Sequence, residues 1–450
     1  MRRLASKMLI LAALGGIVAV VGVRDASAEI VVRGVSDGML ALDPKGTPAV
    51  AYVRGADAVI ATRLTNGKWR AVKVGRVPAG STVKAFKIGK NGPVALVQSA
   101  DDRSLVAVRR RGSGWQTVRI VPRVAATLAL GWPGLALDRE GLPVVAYTRW
   151  NSLNLNTQLL LVRIDARGHT SSQRITAEGF PQSDVPPPAA PVVVGGRVHV
   201  IESFGFRTVI GAFEWYPDKK TWTGLGLDVT RGEFPLGPLL AGLRGGKLYA
   251  AWTQSLYALG AAPVTLAERA QTASAKFLLD RALTTALALP ASGPEVAANE
   301  WVGADELGLD GDDSVWAGTV ISRTSEVQLD GWIGGLAVAP NAGRDLLLER
   351  GGGLEWFRSP RKLSTRVSIR AVPEASSVFL DGRVEGASTG KVTIFRERPG
   401  TPRELAGTAQ LSDGSFSFVD RTTSRPLLYR AVYTDAGTSI PYAALGRPIR

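Results

Sequence analysis

One 15-residue stretch occurs twice in the sequence, and this repetition constrains the fold more than any other feature. LALDPKGTPAVAYVR (residues 40–54) returns 95 residues later as LALDREGLPVVAYTR (residues 135–149), with 10 of 15 positions identical and no gap. Each copy places two short apolar runs around an Asp-x-x-Gly break, which is the pattern of a β-hairpin. The copies belong to a longer series, so the chain is predicted to be built from repeated supersecondary units.

Weaker copies follow at a period near 50 residues. The glycines of the first five predicted hairpins are spaced 46, 49, 55 and 50 residues apart: Gly46, Gly92, Gly141, Gly196 and Gly246. Two further hairpins are predicted around Asp313 and Gly343. Four-stranded antiparallel units at this period are typical of a β-propeller. Seven hairpins predict seven blades, with six blades as the alternative.

The two ends of the repeat region carry different patterns. Residues 29–35 (EIVVRGV) are expected to supply a strand to the last blade and so close the ring, since an open edge strand invites aggregation. From about residue 366 the runs SSVFLDGRV, KVTIFRERP, SFSFVD and LLYRAVYTD are separated by turn residues and lack the blade pattern. Five to seven such strands in about 80 residues predict a small β-sandwich.

These patterns resemble known families at the level of fold. The blade pattern LALD..G.P.VAY, followed by runs such as LVAVRRRGSGWQTV, resembles the BNR/sialidase-like superfamily of bacterial propellers. FLDGRV, KVTIFRE and SDGSFSFV resemble a bacterial immunoglobulin- or fibronectin-type module. The resemblances imply an all-β chain with a β-propeller at 29–365 and an Ig-like sandwich at 366–450. The sialidase Asp-box pattern S-x-D-x-G-x-T-W is absent, which puts sialidase activity in doubt.

The N-terminal 28 residues are predicted to be a signal peptide. Arg2, Arg3 and Lys7 precede an apolar run at 8–23, and Ala-Ser-Ala at 26–28 is a small-x-small cleavage site. The run is shorter than the roughly 20 residues that a spanning helix needs, so no transmembrane segment is expected after cleavage. An exported chain without cysteine excludes disulfides and cysteine chemistry and favours a bacterial protein, secreted or at the cell surface.

Charge and histidine content limit the partners. The formal net charge is +15, and four basic residues and one acidic residue in the first 28 contribute +3 of it, which leaves +12. This excess favours acidic partners such as anionic glycans, and the lack of a basic-aromatic stripe argues against nucleic acid. Two isolated histidines, His169 and His199, cannot build a three-ligand zinc site without carboxylates, and no metal or cofactor is expected. His169 is expected to pack between blades, as Trp69 and Trp115 are.

The recurring carboxylates Asp43 and Asp138 could suggest a catalytic pair. Both precede a glycine in the first hairpin of their unit. An Asp side chain there can accept hydrogen bonds from its own turn, and Gly supplies the left-handed conformation. We therefore predict a turn role for both, and no catalytic residue is assigned.

A ligand site is predicted where the two copies differ. The third unit has five extra residues between its second and third strands, in RWNSLNLNTQ at 149–158. In propellers, loops of this kind share a face with the connections between blades, near the central channel. The candidate ligand-binding residues on these loops are Arg54, Asp57, Asp101, Asp102, Arg103, Arg149, Trp150, Asn151, Asn154, Glu202, Arg207, Gln254 and Tyr257.

The mixture of arginine, amide, carboxylate and aromatic groups on these loops suits a polar ligand such as a sugar. The predicted function is non-catalytic binding of a glycan or protein partner. A sialidase-like or other glycoside hydrolase is one alternative, and a purely architectural envelope protein is another.

Overall fold

The fold is built from β-strands throughout the described chain. The computed structural model describes residues 28–176, 186–204, 209–216, 221–228, 238–244, 247–251, 264–266, 282–302, 315–322, 325–398, 401–421 and 428–446. All the regular secondary structure in these ranges consists of strands, numbered β1 to β35. Alternating Val, Leu, Ala and Ile residues favour this, because successive side chains point to opposite faces of a sheet. None of these residues forms a helix long and apolar enough to cross a membrane.

Within the described ranges, the strands before Arg366 form seven antiparallel sheets in chain order. The first is β2 (Met39–Leu42), β3 (Pro48–Arg54), β4 (Asp57–Arg63) and β5 (Trp69–Arg76). The second is β6 (Thr82–Gly89), β7 (Gly92–Gln98), β8 (Leu105–Arg111) and β9 (Gly114–Val121). The third is β10 (Leu128–Leu130), β11 (Gly134–Leu137), β12 (Pro143–Asn151), β13 (Thr157–Ile164) and β14 (Thr170–Arg174).

The later sheets repeat this plan. The fourth is β15 (Ala189–Val194), β16 (Arg197–Phe204), β17 (Val209–Tyr216) and β18 (Thr221–Asp228). The fifth is β19 (Leu240–Arg244), β20 (Lys247–Ala251) and β21 (Val264–Leu266). The sixth is β22 (Ala282–Ala288), β23 (Glu295–Val302), β24 (Val315–Ser322) and β25 (Glu326–Leu329). The seventh is β26 (Trp332–Val338), β27 (Arg344–Arg350) and β28 (Gly353–Ser359), joined by β1 (Glu29–Arg33).

The sheets are arranged in a ring. The first strands of successive sheets contact one another in the closed cycle β2, β6, β11, β15, β19, β22, β26 and back to β2. Each sheet therefore packs between two neighbours, and separate apolar clusters fill the seams between them. This is the arrangement of a β-propeller, whose innermost strands surround a central channel.

The N-terminal strand closes the ring, as the sequence predicted. β1 pairs with β28 in the register Glu29↔Trp356 and Arg33↔Gly353, and so completes the seventh sheet. The Glu29 carboxylate also accepts hydrogen bonds from the Arg63 guanidinium at 2.7 and 2.5 Å and from Trp69 Nε1 at 3.1 Å. One residue therefore joins the seventh sheet to the first.

The repeated aspartates shape turns, which confirms that prediction. Asp43 Oδ1 accepts hydrogen bonds from the backbone N–H groups of Lys45 and Thr47 at 2.9 and 2.7 Å. Asp138 accepts the equivalent two bonds in the third sheet, at 2.9 and 2.8 Å. Gly46 follows with φ 81°, a conformation that glycine adopts without strain. The repeated motif is therefore scaffold.

The expectation for His169 is wrong. Its side chain is 75 % exposed, and Nδ1 lies 3.1 Å from Asp165 Oδ2. His169 lies in the turn before β14, where the backbone folds around Asp165, so its ring points to solvent. Trp69 does pack at a seam, with its ring centroid 5.9 Å from that of Trp356 in an edge-to-face pair.

The C-terminal strands continue the sixth sheet. They are β29 (Arg366–Pro373), β30 (Val378–Glu385), β31 (Thr389–Glu397), β32 (Glu404–Ser412), β33 (Ser415–Asp420), β34 (Leu428–Thr434) and β35 (Pro441–Leu445). β35 pairs with β25 through Tyr442 and Leu329, and one apolar core spans both regions. The buried carboxylate of Asp330 is ion-paired with Arg403 and lies 3.7 Å from Arg350. The C-terminal strands are therefore firmly attached to the ring.

Candidate ligand site at the channel mouth

The loops between second and third strands lie on the same side of the ring as the connections between sheets, as predicted. The backbone N–H of Leu130, in the connection to the third sheet, donates to the carbonyl of Asp102 at 2.7 Å. Ser152, in the long third-sheet loop, donates to the carbonyl of Thr127 in the same connection at 2.9 Å. We call this side of the ring the mouth face: the loops between second and third strands, together with the connections between sheets.

Five residues on the mouth face form what we call the mouth cluster: Asp37, Lys84, Asp102, Trp132 and Glu349. Lys84 projects from the innermost strand β6, and its Nζ lies 3.8 Å from the centre of the Trp132 ring. Trp132 Nε1 donates to the Lys84 carbonyl at 3.3 Å. An ammonium group at this distance over an indole face is a cation–π pair, which holds both side chains beside the channel.

The charges of the mouth cluster perturb one another. Burial lowers the pKa of Lys84, while the charges of Asp102 and Asp37 oppose this shift. Burial raises the pKa of Asp102, and the nearby Lys84 partly offsets the effect. Burial and then the charge of Asp37 raise the pKa of Glu349, although the Asp37 backbone N–H donates to that carboxylate. Two carboxylates, those of Asp37 and Asp102, thus act on the Lys84 ammonium group, and the third, that of Glu349, lies beside Asp37.

The predicted first-sheet residues point away from this cluster. Arg54 Nη2 donates to the carbonyl of Arg33 on the outer strand β1 at 2.8 Å. Asp57 pairs with Lys73 on the outer strand β5 at 2.7 Å. Both contacts direct the side chains towards the outside of the ring, so a role for either residue in binding at the channel stays a prediction.

The second-sheet loop contributes one residue to the cluster and uses its neighbours to hold itself in place. Asp101 Oδ2 pairs with Arg123 at 2.6 Å. The Arg103 guanidinium donates to the carbonyl of Val124 at 3.1 and 2.8 Å. Because these bonds tie the loop to the connection that follows, Asp102 is held with φ 51° at the mouth.

The long third-sheet loop is braced by its own amides. Asn151 Oδ1 accepts the N–H of Leu153 at 3.0 Å, and Asn154 Oδ1 accepts the N–H of Asn156 at 3.2 Å. Both amide oxygens are therefore committed to local turns. The loop presents Leu153 at its tip, 78 % exposed.

Three of the remaining predicted residues, Arg149, Trp150 and Glu202, lie at the mouth end of the third and fourth sheets. Arg149 is half-buried at the end of β12, next to Trp150, which pairs with Thr157 across the strands. Glu202, near the end of β16, is completely buried, and this burial raises its pKa to about 8. Arg207, Gln254 and Tyr257 lie outside the described residues.

Buried polar atoms without a hydrogen-bond partner concentrate on the mouth face. Across the described ranges they are Ser81 Oγ, Gln98 Oε1, Arg149 Nε, Thr157 Oγ1, both carboxylate oxygens of Glu202, and Asp330 Oδ2. Only Asp330 belongs elsewhere, to the ion pairs below the C-terminal strands. Native proteins satisfy nearly all buried polar groups. Within the described chain, these polar groups of the second to fourth sheets therefore have no protein partner.

Sequence reasoning missed four of the five cluster residues. Lys84 lies within the innermost strand, Asp37 lies in the connection from β1 to β2, and Trp132 lies between β10 and β11, so a search of second-to-third-strand loops passes over them. A usable signal was present in GWP at 131–133, where a large aromatic residue interrupts a connection between two units. No group of three or more potential metal-ligating side chains occurs among the residues that the structure describes.

Comparison with known proteins gives fold-level likeness only. No known family and no curated protein matches the sequence. A six-bladed lectin from Aleuria aurantia matches with a TM-score of 0.43 at 11% identity, over 73% of this chain and 93% of the lectin. An exo-β-1,3-galactanase from Phanerochaete chrysosporium matches with a TM-score of 0.41 at 7% identity, over 91% of this chain and 100% of the galactanase. Similarity of this extent carries no argument about ligand or activity.

Proposed function

We propose that this chain is an exported, non-catalytic binding protein whose mouth face recognises a glycan. The mouth cluster is the observation that carries the proposal. It combines an indole, an ammonium group and three carboxylates beside the channel. Sugars present both apolar C–H faces and hydroxyl groups, so a site for them needs an aromatic surface together with donors and acceptors.

The division of roles follows from the chemistry of each side chain. The Trp132 ring offers the apolar surface, and Asp37, Asp102 and Glu349 accept hydrogen bonds from hydroxyl groups. Lys84 and Arg149 donate to ring or carboxyl oxygens. The unpartnered polar atoms of the neighbouring sheets support this proposal, because a polar ligand and its ordered water would complete their hydrogen bonding.

A glycan is a better fit than a protein partner. The large apolar side chains that are exposed in the described chain are Ile30, Leu64, Leu153, Leu405 and Val419. They lie on five separate elements, namely β1, the turn after β4, the long third-sheet loop, β32 and β33, whereas protein interfaces need a continuous apolar patch.

We further propose seven blades and an Ig-like C-terminal sandwich. Seven sheets among the described residues and the closed cycle of contacts support seven blades over six. In the C-terminal region, β29, β30 and β33 form one group of paired strands, and β32, β31, β34 and β35 form another. Contacts of β29 with β34 and β35 bring the two groups face to face, as in a sandwich.

Export is proposed from the N-terminal signal pattern. Cleavage after Ala28 would leave Glu29 as the first residue, and Glu29 is also the first residue of the closing strand β1. The mature chain would then retain every residue needed to close the ring. N-terminal sequencing of protein recovered outside the cytoplasm tests this, and a retained leader would contradict it.

The binding proposal is tested on a glycan array with the mature chain and two variants. Asp102→Asn removes one carboxylate charge while keeping a residue that tolerates the left-handed conformation. Trp132→Leu removes the aromatic surface. We expect either change to weaken binding to the preferred glycan at least tenfold, about 1.4 kcal/mol.

The control is Trp115→Leu. Trp115 lies on the outer strand β9, and its ring packs under the guanidinium group of Arg110. This variant should leave glycan affinity unchanged. If no glycan binds, or if Asp102→Asn and Trp132→Leu bind like the unmodified chain, the proposal is wrong.

A glycoside hydrolase is the second candidate. Asp102 and Glu349 are two carboxyl groups at the mouth whose pKa values are both raised, as a catalytic acid requires. Reducing-end release from array-positive glycans would favour this function. Loss of that release in both Asp102→Asn and Glu349→Gln would assign it to this pair.

A further inference from the structure

The seam between the third and fourth sheets is apolar along most of its length. From the third sheet Val144, Ala146, Leu159 and Leu161 face it, and from the fourth Val198 and Val200 do so. These side chains come from alternate positions of β12, β13 and β16, since every second residue of a strand points to the same face.

The same alternation turns polar at the mouth end of this seam. The next residues in the series are Thr148, Thr157 and Glu202, and all three are completely buried. Thr148 Oγ1 donates to the carbonyl of Pro187. Thr157 Oγ1 and both oxygens of Glu202 have no hydrogen-bond partner.

Strand register places these three residues at the same end of the seam. Thr148 pairs with Leu159, two residues from Thr157 on the same strand. Glu202 pairs with Ala189. Ala189 is two residues from Pro187, whose carbonyl accepts the hydrogen bond from Thr148. Thr157 and Glu202 therefore approach the mouth end from opposite sides of the seam.

A carboxylate is unusual at this position. The strand faces that look back to the preceding sheet carry Tyr52 in the first sheet and Tyr147 in the third, both buried in apolar clusters. In the fourth sheet a glutamate takes this place. Burying an ionised, unpartnered carboxylate costs several kcal/mol, whereas a neutral carboxylic acid with one hydrogen bond costs far less.

Within the described part of the chain, no side chain forms a hydrogen bond with the Glu202 carboxyl group. By sequence, the other charged and titratable residues on the adjacent strands are Tyr147 and Arg149 on β12, Arg163 on β13, Arg197 and His199 on β16, and Glu214 and Tyr216 on β17, while β15 has none. Burial alone raises the pKa of Glu202 to about 8. The proton therefore stays on the carboxyl group at neutral pH.

We propose that Glu202 is a proton-sensitive joint of the mouth: as a neutral carboxylic acid it stays buried at the mouth end of the third–fourth seam, and loss of its proton opens this end of the seam. The neutral form carries no charge into the apolar seam, so it can remain buried at a much lower cost than the carboxylate. The ionised form can only accept, and it draws water between the sheets. The joint does not depend on whether the mouth binds a glycan.

The direction of the pH effect follows from linkage. The pKa of Glu202 is raised from 4.5 in the unfolded chain to about 8 in the folded one, so the folded protein binds the proton more tightly. Its contribution to stability is fully present below the unfolded pKa and is lost as the pH rises through the folded pKa. Thermal stability should fall between these two values for this reason.

The first test compares thermal unfolding of the full mature chain with that of Glu202→Gln from pH 4 to pH 9. Glutamine keeps the shape, the donor and the acceptor but does not titrate. We expect the melting temperature of the unmodified chain to fall towards pH 9 and that of Glu202→Gln to lack this part of the fall. The matched control is Glu140→Gln, an exposed carboxylate that should keep the original profile.

The second test reads the proton directly and needs no variant to fold. Infrared spectra of the unmodified chain across this pH range should contain the carbonyl band of a protonated carboxylic acid at pH 7, which disappears near pH 8. If the band is absent at pH 7, or if Glu202→Gln retains the full pH dependence, the proposal is overturned. It is also overturned if added CaCl2 or NaCl stabilises the unmodified chain but not Glu202→Gln, since Glu202 would then bind a cation.

Discussion

Charged groups are paired at the two seams of the seventh sheet, which closes the ring, but a buried carboxyl group is unpaired at the seam between the third and fourth sheets. At the former, Arg344 and Glu295 form a bidentate pair at 2.6 and 2.7 Å with both side chains almost fully buried, joining the seventh sheet to the sixth. Arg63 and Glu29 join it to the first. At the third–fourth seam, Glu202 and Thr157 are equally buried and have no partner.

This difference separates two uses of polar groups in one ring. A sheet that closes the ring with a strand from the other end of the chain must be held in register, and paired charges with fixed geometry do this. The third–fourth seam joins sheets that are consecutive in sequence and needs no such lock. Its unpaired groups weaken the fold locally, and such sites are expected where binding or switching occurs.

The largest loss is expected from Glu295→Ala. It leaves Arg344 buried without its carboxylate, and breaking a buried pair in this way typically costs about 3–5 kcal/mol. Chemical denaturation of the purified chain measures this effect. The double variant Glu295→Leu, Arg344→Met should recover much of the loss, because it removes both charges together. A single variant as stable as the unmodified chain would show that this pair does not lock the closing sheet.

Glu29→Ala should have an intermediate effect. The pair with Arg63 is partly exposed, with side chains 24% and 19% accessible, so solvent screening reduces its contribution. We expect a loss of about 1–2 kcal/mol, which includes the Trp69 hydrogen bond. Increased proteolysis of the N-terminal strand would accompany it. An unchanged unfolding midpoint would mean that backbone pairing of β1 with β28 closes the ring without this contact.

The smallest effect is expected from the repeated turns. Asp43→Ala and Asp138→Ala each remove two hydrogen bonds that a carboxylate accepts from backbone N–H groups. We expect each variant to lose about 1 kcal/mol of unfolding free energy. The two losses should be equal, and neither should alter glycan binding. A binding defect in only one of them would contradict the scaffold role of the repeat and place that turn in the site.

Local chemistry explains which elements could be predicted from the sequence. Asp43 and Gly46 encode their turn within five residues, so the hairpin and its repeat were readable. EIVVRG could be assigned to the closing strand because a ring with an open edge needs a partner. His169 was misplaced because its alignment with Trp69 ignored the turn that Asp165 builds before β14.

The mouth cluster could not be predicted in the same way. Lys84 and Trp132 are 48 residues apart and meet only because the second and third sheets pack side by side. Asp37 and Glu349 come from opposite ends of the propeller region and approach each other because the ring closes. Of the ten candidate residues that the structure describes, Asp102 is the one that belongs to this cluster, because its loop ends beside β6.

The sequence alone determined the repeated hairpins, their turns and the all-β class, because alternation and turn chemistry act between residues close together in the chain. The tertiary structure decided which charged side chains form ion pairs and which are buried without a partner. Glu29 and Glu202 both read as ordinary glutamates at strand positions. Ring closure brings Arg63 and Trp69 to the first, while the third–fourth seam encloses the second without a partner. Packing between sheets sets that contrast, since desolvation and contact depend on neighbours that are distant in sequence.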